Sequence, residues 1–307
     1  MGKLLDFVKR QFNNAVFMCR PIIRRMLIHP AVVLCVDGGT CSQLEDYVII
    51  KVLEDKGIPV IADCTWYDSC DSSIDSVTAR PFNIDKMFSL KPYKKATKFQ
   101  VWLYKLLFIY HPTEEDKKGT GISVNLDSFQ IPSPPCYLSG YYYYMDAKMS
   151  DYIHKYSELK NPEDVLDSAN LQQYYKIIGI ENTIGVHVRR GDMAAEGGYW
   201  KVIPAEYFIN ICNITELQDY TFYFFSEEPG WIKENIVPHI HVKYEVVENN
   251  PSYFGYKDLY LLSSCKYQVS SQGSFGLYAY MINSHKDKKL ICYNEAQREL
   301  WEWRDLR

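Results

Sequence analysis

The stretch Thr183-Ile184-Gly185-Val186-His187-Val188-Arg189-Arg190-Gly191-Asp192 decides how the chain is read. Thr183 to Val188 is rich in β-branched residues and holds no Lys, Arg, Asp or Glu, which suits a strand buried on both faces of a parallel sheet. The chain then runs straight into two arginines, a glycine and an aspartate. Carboxyl ends of strands in such sheets face the ligand crevice. A guanidinium fork matches phosphate oxygens, and two adjacent guanidinium groups repel unless an anion or carboxylate offsets them. The stretch therefore predicts an anion-binding strand end with Arg189 and Arg190 as its cations. Asp192 is the nearest carboxylate, and an Arg190–Asp192 ion pair is the expected structural contact. His187 is positioned to orient a phosphate or a sugar hydroxyl.

Working outward, the β/α alternation continues on the C-terminal side. Helices are expected over 204–212, 231–236, 258–264 and 275–283, and strands over 221–226, 239–247, 267–270 and 289–293. A last helix is expected over Glu295–Trp303. On the N-terminal side, Ala31–Val36 reads as a strand, Gln43–Lys56 as a helix ending at Gly57, and Ile58–Ala62 as the next strand, one βαβ unit. The region between, about 91–179, is less regular. Alternation at both ends implies two doubly wound α/β domains with ligand at the strand ends between them. The expected boundaries are a basic segment over 1–30, an N-terminal, acceptor-side domain over 31–180 and a C-terminal, donor-binding domain over 181–307.

Composition narrows the function. A chain of 307 residues with 47% hydrophobic and 23% charged residues has enough apolar side chains for packed cores, which excludes a disordered or fibrous protein. Its net charge of −4 argues against general nucleic-acid binding. Nine cysteines with no C-x-x-C pair argue for reduced thiols in the cytoplasm and against a zinc site. No D-x-D triplet, phosphate loop of the G-x-x-x-x-G-K-[ST] type or G-x-S-x-G elbow occurs, so neither a nucleoside triphosphatase nor a serine hydrolase is indicated and no metal is expected. The 26 tyrosines supply rings and hydroxyls that suit sugars, and suit cores equally.

Residues 1–30 stand apart. Lys3, Lys9, Arg10, Arg20, Arg24 and Arg25 face Asp6 alone, so this segment carries +5 and the remainder −9. Leu4, Leu5, Val8, Phe12, Val16 and Cys19 recur at helical spacing. A basic amphipathic helix suits peripheral contact with an anionic membrane, here the inner surface; it also suits packing on the protein body.

The motif His187-Val188-Arg189-Arg190-Gly191-Asp192 resembles the H-x-R-R-x-D motif of α-1,2- and α-1,6-fucosyltransferases. Further segments agree in order. Gly38-Gly39-Thr40-Cys41-Ser42-Gln43 resembles G-G-L-G-N-Q, and Ala62-Asp63-Cys64-Thr65-Trp66-Tyr67 resembles a D-x-S-W-F strand end. Arg80-Pro81-Phe82-Asn83-Ile84-Asp85-Lys86-Met87-Phe88 resembles R-x-Y-x-L-D-K-F-F, and Tyr137-Leu138-Ser139-Gly140-Tyr141 resembles Y-L-x-G-Y. Phe224-Phe225-Ser226-Glu227-Glu228-Pro229-Gly230-Trp231 and Gly273-Ser274-Phe275-Gly276 resemble segments of the α-1,2 branch, so the chain is identified as similar to glycosyltransferase family 11.

That resemblance implies a GT-B-like fold and an inverting transfer of fucose from a GDP-fucose donor to a glycan acceptor, without a metal cofactor. It implies that Arg189 stabilises the leaving diphosphate, with His187, Arg190, Asp192, Ser226, Glu227, Ser271, Gln272, Gly273, Ser274 and Phe275 around the donor. Backbone N–H groups at a helix start after Ser271–Ser274 suit a phosphate; an ordinary serine cap is the plainer reading. Glu228 is expected at the surface. The base for the acceptor hydroxyl is sought among Glu196, Asp192 and Asp37. Gly38, Gly39, Ser42, Gln43, Tyr199 and Trp200 are the acceptor or cleft candidates. Cys41 and Ser42 depart from the motif's glycine and asparagine, and serine offers one short hydroxyl where asparagine offers donor and acceptor. A bacterial-type surface polysaccharide or O-antigen is the expected product. Another GDP-hexose donor, or a non-catalytic binder of nucleotide or glycan, are the alternatives.

Overall fold

The computed structural model describes residues 2–26, 30–70, 73, 79–110, 117–118, 121–123, 133–138, 142–143, 148–194, 202–271, 273–293 and 301–304. Its chain divides into two units. The first comprises Met1–Asp37, Ser42–Ser69 and Lys91–Met145; the second comprises Gly38–Cys41, Cys70–Leu90 and Asp146–Arg307.

In the first unit the apolar run Val32–Cys35 forms β1, buried along its whole length. It pairs in parallel with β2 (Val60–Asp63) on one side and with β3 (Cys136–Leu138) on the other. Helix α3 (Thr40–Asp55) joins β1 to β2, which completes the βαβ unit expected from the sequence. A tight turn, with Gly57 in the left-handed region at φ 75°, ends that helix. Helix α1 (Gly2–Met18), α2 (Arg20–Met26) and α4 (Lys98–Leu107) also belong to this unit. Thr97 and Gln100 close a reciprocal capping box at the start of α4. The apolar stretch beginning at Val101, unassigned in the sequence, is largely this helix.

Asp63, the acidic end of β2, is fully buried, so it needs partners. The Tyr137 hydroxyl donates to its Oδ2 at 2.7 Å, and the Thr65 amide and hydroxyl donate to Oδ1 at 2.8 and 2.7 Å. Burial pushes its pKa up, but these donors outweigh burial and hold the carboxyl below its ordinary range.

The second unit carries the larger sheet. Its strands are β4 (Thr183–His187), β5 (Thr221–Phe225), β6 (Lys243–Val247), β7 (Tyr267–Ser270), β8 (Lys289–Tyr293) and β9 (Trp301–Arg304). Their order is β6-β5-β4-β7-β8-β9; all neighbours are parallel except β8 and β9. This is the doubly wound order, in which the chain turns back between β4 and β7. Helices α7 (Ala205–Cys212), α8 (Pro229–Asn235), α9 (Gly255–Ser264) and α10 (Phe275–Ile282) connect the strands. Ile184, Val186, Phe222, Phe224 and Val269 share one core with Phe208, Ile211 and Ile232 of the α7–α8 layer. Each such side chain, fully buried, contributes about 1.5–3 kcal/mol. Gly185, on the opposite face of β4, lies against Leu262 and Cys265, so that face is covered by α9.

Helices α5 (Lys148–Tyr156) and α6 (Ser168–Ile178) lie in the second unit. Residues 146–180 therefore group with the C-terminal sheet, whereas the sequence suggested a boundary at 180. Helix α6 rests on α9, which the local pattern of either helix cannot reveal. The expected terminal helix is also corrected. Trp301–Arg304 runs antiparallel to β8, with Trp301 opposite Tyr293 and Arg304 opposite Leu290. The alternation Trp301-Glu302-Trp303-Arg304 has the period of a strand, and pairing covers the edge of β8. Residues 295–300 lie outside the described residues.

Candidate functional site

The register of the second sheet aligns three strand ends. His187 of β4 lies opposite Phe225 of β5 and opposite Ser270 of β7. The segments leaving these strands, Val188–Asp192, Ser226–Glu228 and Ser271–Ser274, thus emerge at one end of the sheet and beside the β4–β7 turning point. In a sheet of this order that is where ligands bind.

Ser271 ties two of these segments together. Its Oγ accepts the Arg189 backbone N–H at 2.9 Å and lies 3.4 Å from His187 Nδ1. Burial and then the nearby Arg189 charge push the His187 pKa down to about 3, so the ring is neutral. Phe275, at the start of α10, packs on that ring with centroids 4.7 Å apart. His187 is buried at 5% exposure; it shapes the site floor and does not deliver charge.

The two arginines have different settings. Arg190 Nε donates to Glu228 Oε2 at 2.9 Å, and Glu228 Oε1 accepts the Gly191 amide at 3.0 Å. The guanidinium carbon of Arg190 lies 4.0 Å from the centroid of the Trp231 ring. Arg190 is thus held by a carboxylate and an aromatic face together. Among the described side chains its ion-pair partner is Glu228; the expected Arg190–Asp192 contact falls on a side chain outside the described residues. Glu228, its side chain 37% exposed, clamps Arg190 and the Gly191 amide from the rim of the site. A charge count around Arg190 was the available signal, because a half-buried guanidinium demands an acid. Arg189 forms an ion pair with Glu227, both side chains 16% exposed. The second Glu227 oxygen, Oε2, is buried and has no hydrogen-bond partner among the described residues.

Backbone turns bring these groups close. Gly191 has φ 47°, and a Cβ built there would lie 3.6 Å from Glu227 Cγ. Gly273 has φ 89°, which lets the chain turn from β7 into α10. Ser274 precedes α10 and its side chain makes no capping hydrogen bond. The plainer reading of this serine, as an ordinary side-chain cap, does not hold, and the first-turn amides are not satisfied by it. Ser226 Oγ accepts the Glu228 amide at 3.1 Å, which orders the β5 exit.

Asp192 lies in the single 3₁₀ turn Gly191–Met193, and its side chain is not described. Gln272, Glu196, Tyr199 and Trp200 lie outside the described residues. Gly38 and Gly39 belong to the second unit. Gly38 has φ 73°, and a Cβ on Gly39 would lie 3.6 Å from Arg80 Cδ. Thr40 Oγ1 donates to Asn83 Oδ1 at 2.8 Å, a pairing that joins two of the motif segments and that sequence reading missed. Ser42 and Gln43 lie on the part of α3 that belongs to the first unit, and Gln43 is fully buried. Also there, Asp46 Oδ2 accepts the Asp37 amide at 3.2 Å. Burial pushes the Asp37 carboxyl up to about 6; burial, then the charges of Asp37 and Glu45, push Asp46 well above its ordinary value. No group of His, Cys, Asp or Glu among the described residues is arranged to hold a metal ion.

The geometry can bind an anion at the end of β4. Several known proteins are similar to this chain. The O-antigen biosynthesis glycosyltransferase WbnK of Escherichia coli is 24% identical over 180 residues, covering 55% of this chain and 57% of WbnK. The chain thus aligns with little more than half of that relative. Among solved structures, NodZ α-1,6-fucosyltransferase soaked with GDP-fucose matches with a TM-score of 0.50 at 12% identity, over 90% of this chain and 99% of NodZ. NodZ is from Bradyrhizobium. A variant of Arabidopsis thaliana FUT1 in complex with GDP matches with a TM-score of 0.53 at 10% identity, over 94% and 79% of the two chains. At such identities these two likenesses concern the fold, and that fold is the GT-B-like one expected from the sequence. The model of Glycosyl transferase family 11 matches residues 78–305, from before the Arg80 segment to the last strand of the second sheet. With most of its length, and the whole Arg189 strand end, inside that match, the chain belongs to glycosyl transferase family 11.

Proposed function

We propose that this protein is an inverting fucosyltransferase that moves fucose from GDP-fucose to a hydroxyl of a glycan, in an α-1,2 linkage and without a metal ion. The observation that carries the proposal is Arg189 at the end of β4, beside Ser271 and the start of α10, at the turning point of the doubly wound sheet. In the transfer, the acceptor oxygen bonds to the anomeric carbon as the bond from that carbon to the β-phosphate oxygen breaks. The electron pair leaves with GDP, so negative charge grows on the β-phosphate. A preorganised guanidinium there stabilises the transition state more than the ground state. To meet the phosphate, Arg189 exchanges part of its pairing with Glu227. Glu227 then keeps a free carboxylate oxygen for donors on the nucleotide.

Arg190, fixed on Glu228 and Trp231, sets the backbone path through Gly191. The acceptor hydroxyl needs a base for its proton. Glu196 remains the base proposed from motif spacing, with Asp192 next; Asp37, raised to about 6 by burial, has a pKa suited to that work near neutral pH. The GDP-fucose donor is supported by the donor-site motif and by the GDP-fucose soaked into NodZ. An O-antigen or similar surface polysaccharide as the product is supported by the likeness to WbnK; assembly in the cytoplasm rests on the nine cysteines without a C-x-x-C pair. The α-1,2 linkage rests on the Phe224–Trp231 and Gly273–Gly276 segments.

The test is GDP release from GDP-fucose, set against GDP-mannose, on a panel of galactoside acceptors, with wild type and Arg189→Ala. Turnover selective for GDP-fucose is expected, falling by about a hundredfold or more in the variant, as for loss of an oxyanion-stabilising donor. Near-normal kcat in the variant would reject the leaving-group role. GDP binding without turnover on any acceptor would favour the non-catalytic alternative.

A further inference from the structure

Helices α1 and α2 are placed in the first unit by a small set of inward contacts. Val16 and Ile23 pack against the core that holds Tyr104, Leu107 and Phe108. The Phe12 ring stacks on Trp102 with centroids 6.0 Å apart, and the Arg20 guanidinium lies 5.8 Å from the Phe108 ring centroid. These contacts fix which side of the helices faces the protein. At 3.6 residues per turn, Phe7 sits about half a turn away from Val16, and Met18 lies on the same outer stripe as Phe7.

The outer side is apolar nonetheless. Phe7 is 58% exposed, Phe17 51%, Met18 81% and Ile22 61%. Phe12, despite its stack, is 60% exposed. Phe99 of α4 is 66% exposed and continues the row, its ring 5.6 Å from that of Trp102. Six large apolar side chains thus lie open on three adjoining helices. Concentrated exposure of this kind marks an interaction surface. Lys9, Arg10, Arg24 and Arg25 are exposed on the same two helices, and Asp6 is the one acidic residue of the segment. The same segment carries +5 in a chain of −4.

We propose that α1, α2 and Phe99 form a docking surface for an anionic lipid membrane. Charge complementarity selects this occupant. The apolar side chains enter the boundary between headgroups and acyl chains, while the arginine and lysine stems lie along it with their charged heads at lipid phosphates. A helix of 17 residues is about 25 Å long and lies in the plane of the surface. Among the described residues, no helix is long and apolar enough to cross a membrane. The surface needs neither GDP-sugar nor Arg189, so it stands independently of the proposed activity.

The experiment is co-sedimentation of the full chain with vesicles of phosphatidylcholine alone and of phosphatidylcholine mixed with phosphatidylglycerol. Two variants accompany it, Phe7→Glu with Met18→Glu, and Arg24→Glu with Arg25→Glu. All four side chains that are replaced are solvent-facing or belong to exposed helix positions; unchanged thermal unfolding is expected. A charge-preserving control replaces both arginines by lysine. Wild type and the lysine control are expected to bind only the anionic vesicles, less at high salt. Each glutamate pair is expected to weaken binding more than tenfold. No binding by wild type, or equal binding by wild type and both glutamate variants, overturns the proposal. So does vesicle-independent self-association that the variants abolish, because a second copy of the chain would then be the occupant.

Discussion

Arg189 and Arg190 are neighbours in sequence with opposite work. Arg190 is anchored by Glu228 and Trp231, whereas Arg189 shares its charge with Glu227 beside a turn that leads to the ligand end of the sheet. Separate carboxylates relieve the repulsion between them. His187, at the end of β4, is neutral because burial and Arg189 push its pKa from 6.5 to about 3. The unfolded chain binds a proton at this residue below about pH 6.5 and the folded chain does not. Stability from His187 is therefore fully present above that pH and is lost as pH falls toward 3, at about 1.4 kcal/mol per pH unit. His187→Asn removes this term. The difference in unfolding free energy between wild type and variant is expected to be flat above pH 7 and to shrink steadily toward pH 4. A difference independent of pH over that range would show that His187 is not held neutral. The arginines, the histidine and Ser271 were legible as residue types in a motif; Glu228 was not, because its partner comes from another strand end.

At the scale of elements, close approach decides whether the strand ends form a site. A Cβ on Gly276 would meet Ser270 Cβ and Oγ at 2.8 Å and Ser270 Cα at 2.9 Å. Backbone cannot yield as a flexible side-chain tip can, so α10 would have to move off β7. Gly276→Ala is expected to cost about 1–3 kcal/mol, the usual penalty of overpacking. It should also raise KM for the donor, since Ser271 and Phe275 are carried by the displaced segment. Urea unfolding and donor titration check both, and an unchanged midpoint would mean that the helix adapts freely. Strands and helices with a strong period were legible from local pattern, including β4, β5, β7 and α7. The last segment was not. Trp301–Arg304 alternates as a strand does but over four residues only, too few to decide against a helix, and its pairing with β8 is supplied by the partner strand.

For the whole molecule, the proposed chemistry places all leaving-group stabilisation on protein donors. Turnover of GDP-fucose is accordingly expected to persist unchanged in EDTA, and activity that vanishes with EDTA and returns with Mn²⁺ would reject the metal-free mechanism. Apolar periodicity determined that this chain would build parallel α/β sheets, and the ordered motif segments determined its family, because both are written in residue types at short spacing. Tertiary structure alone decided that residues 38–41 and 70–90 group with the unit that carries the C-terminal sheet, and that Arg190 is clamped by Glu228 while Arg189 faces Glu227. It also decided which side of α1 stays open. These outcomes depend on contacts between segments far apart in the chain, whose register and packing no local pattern encodes.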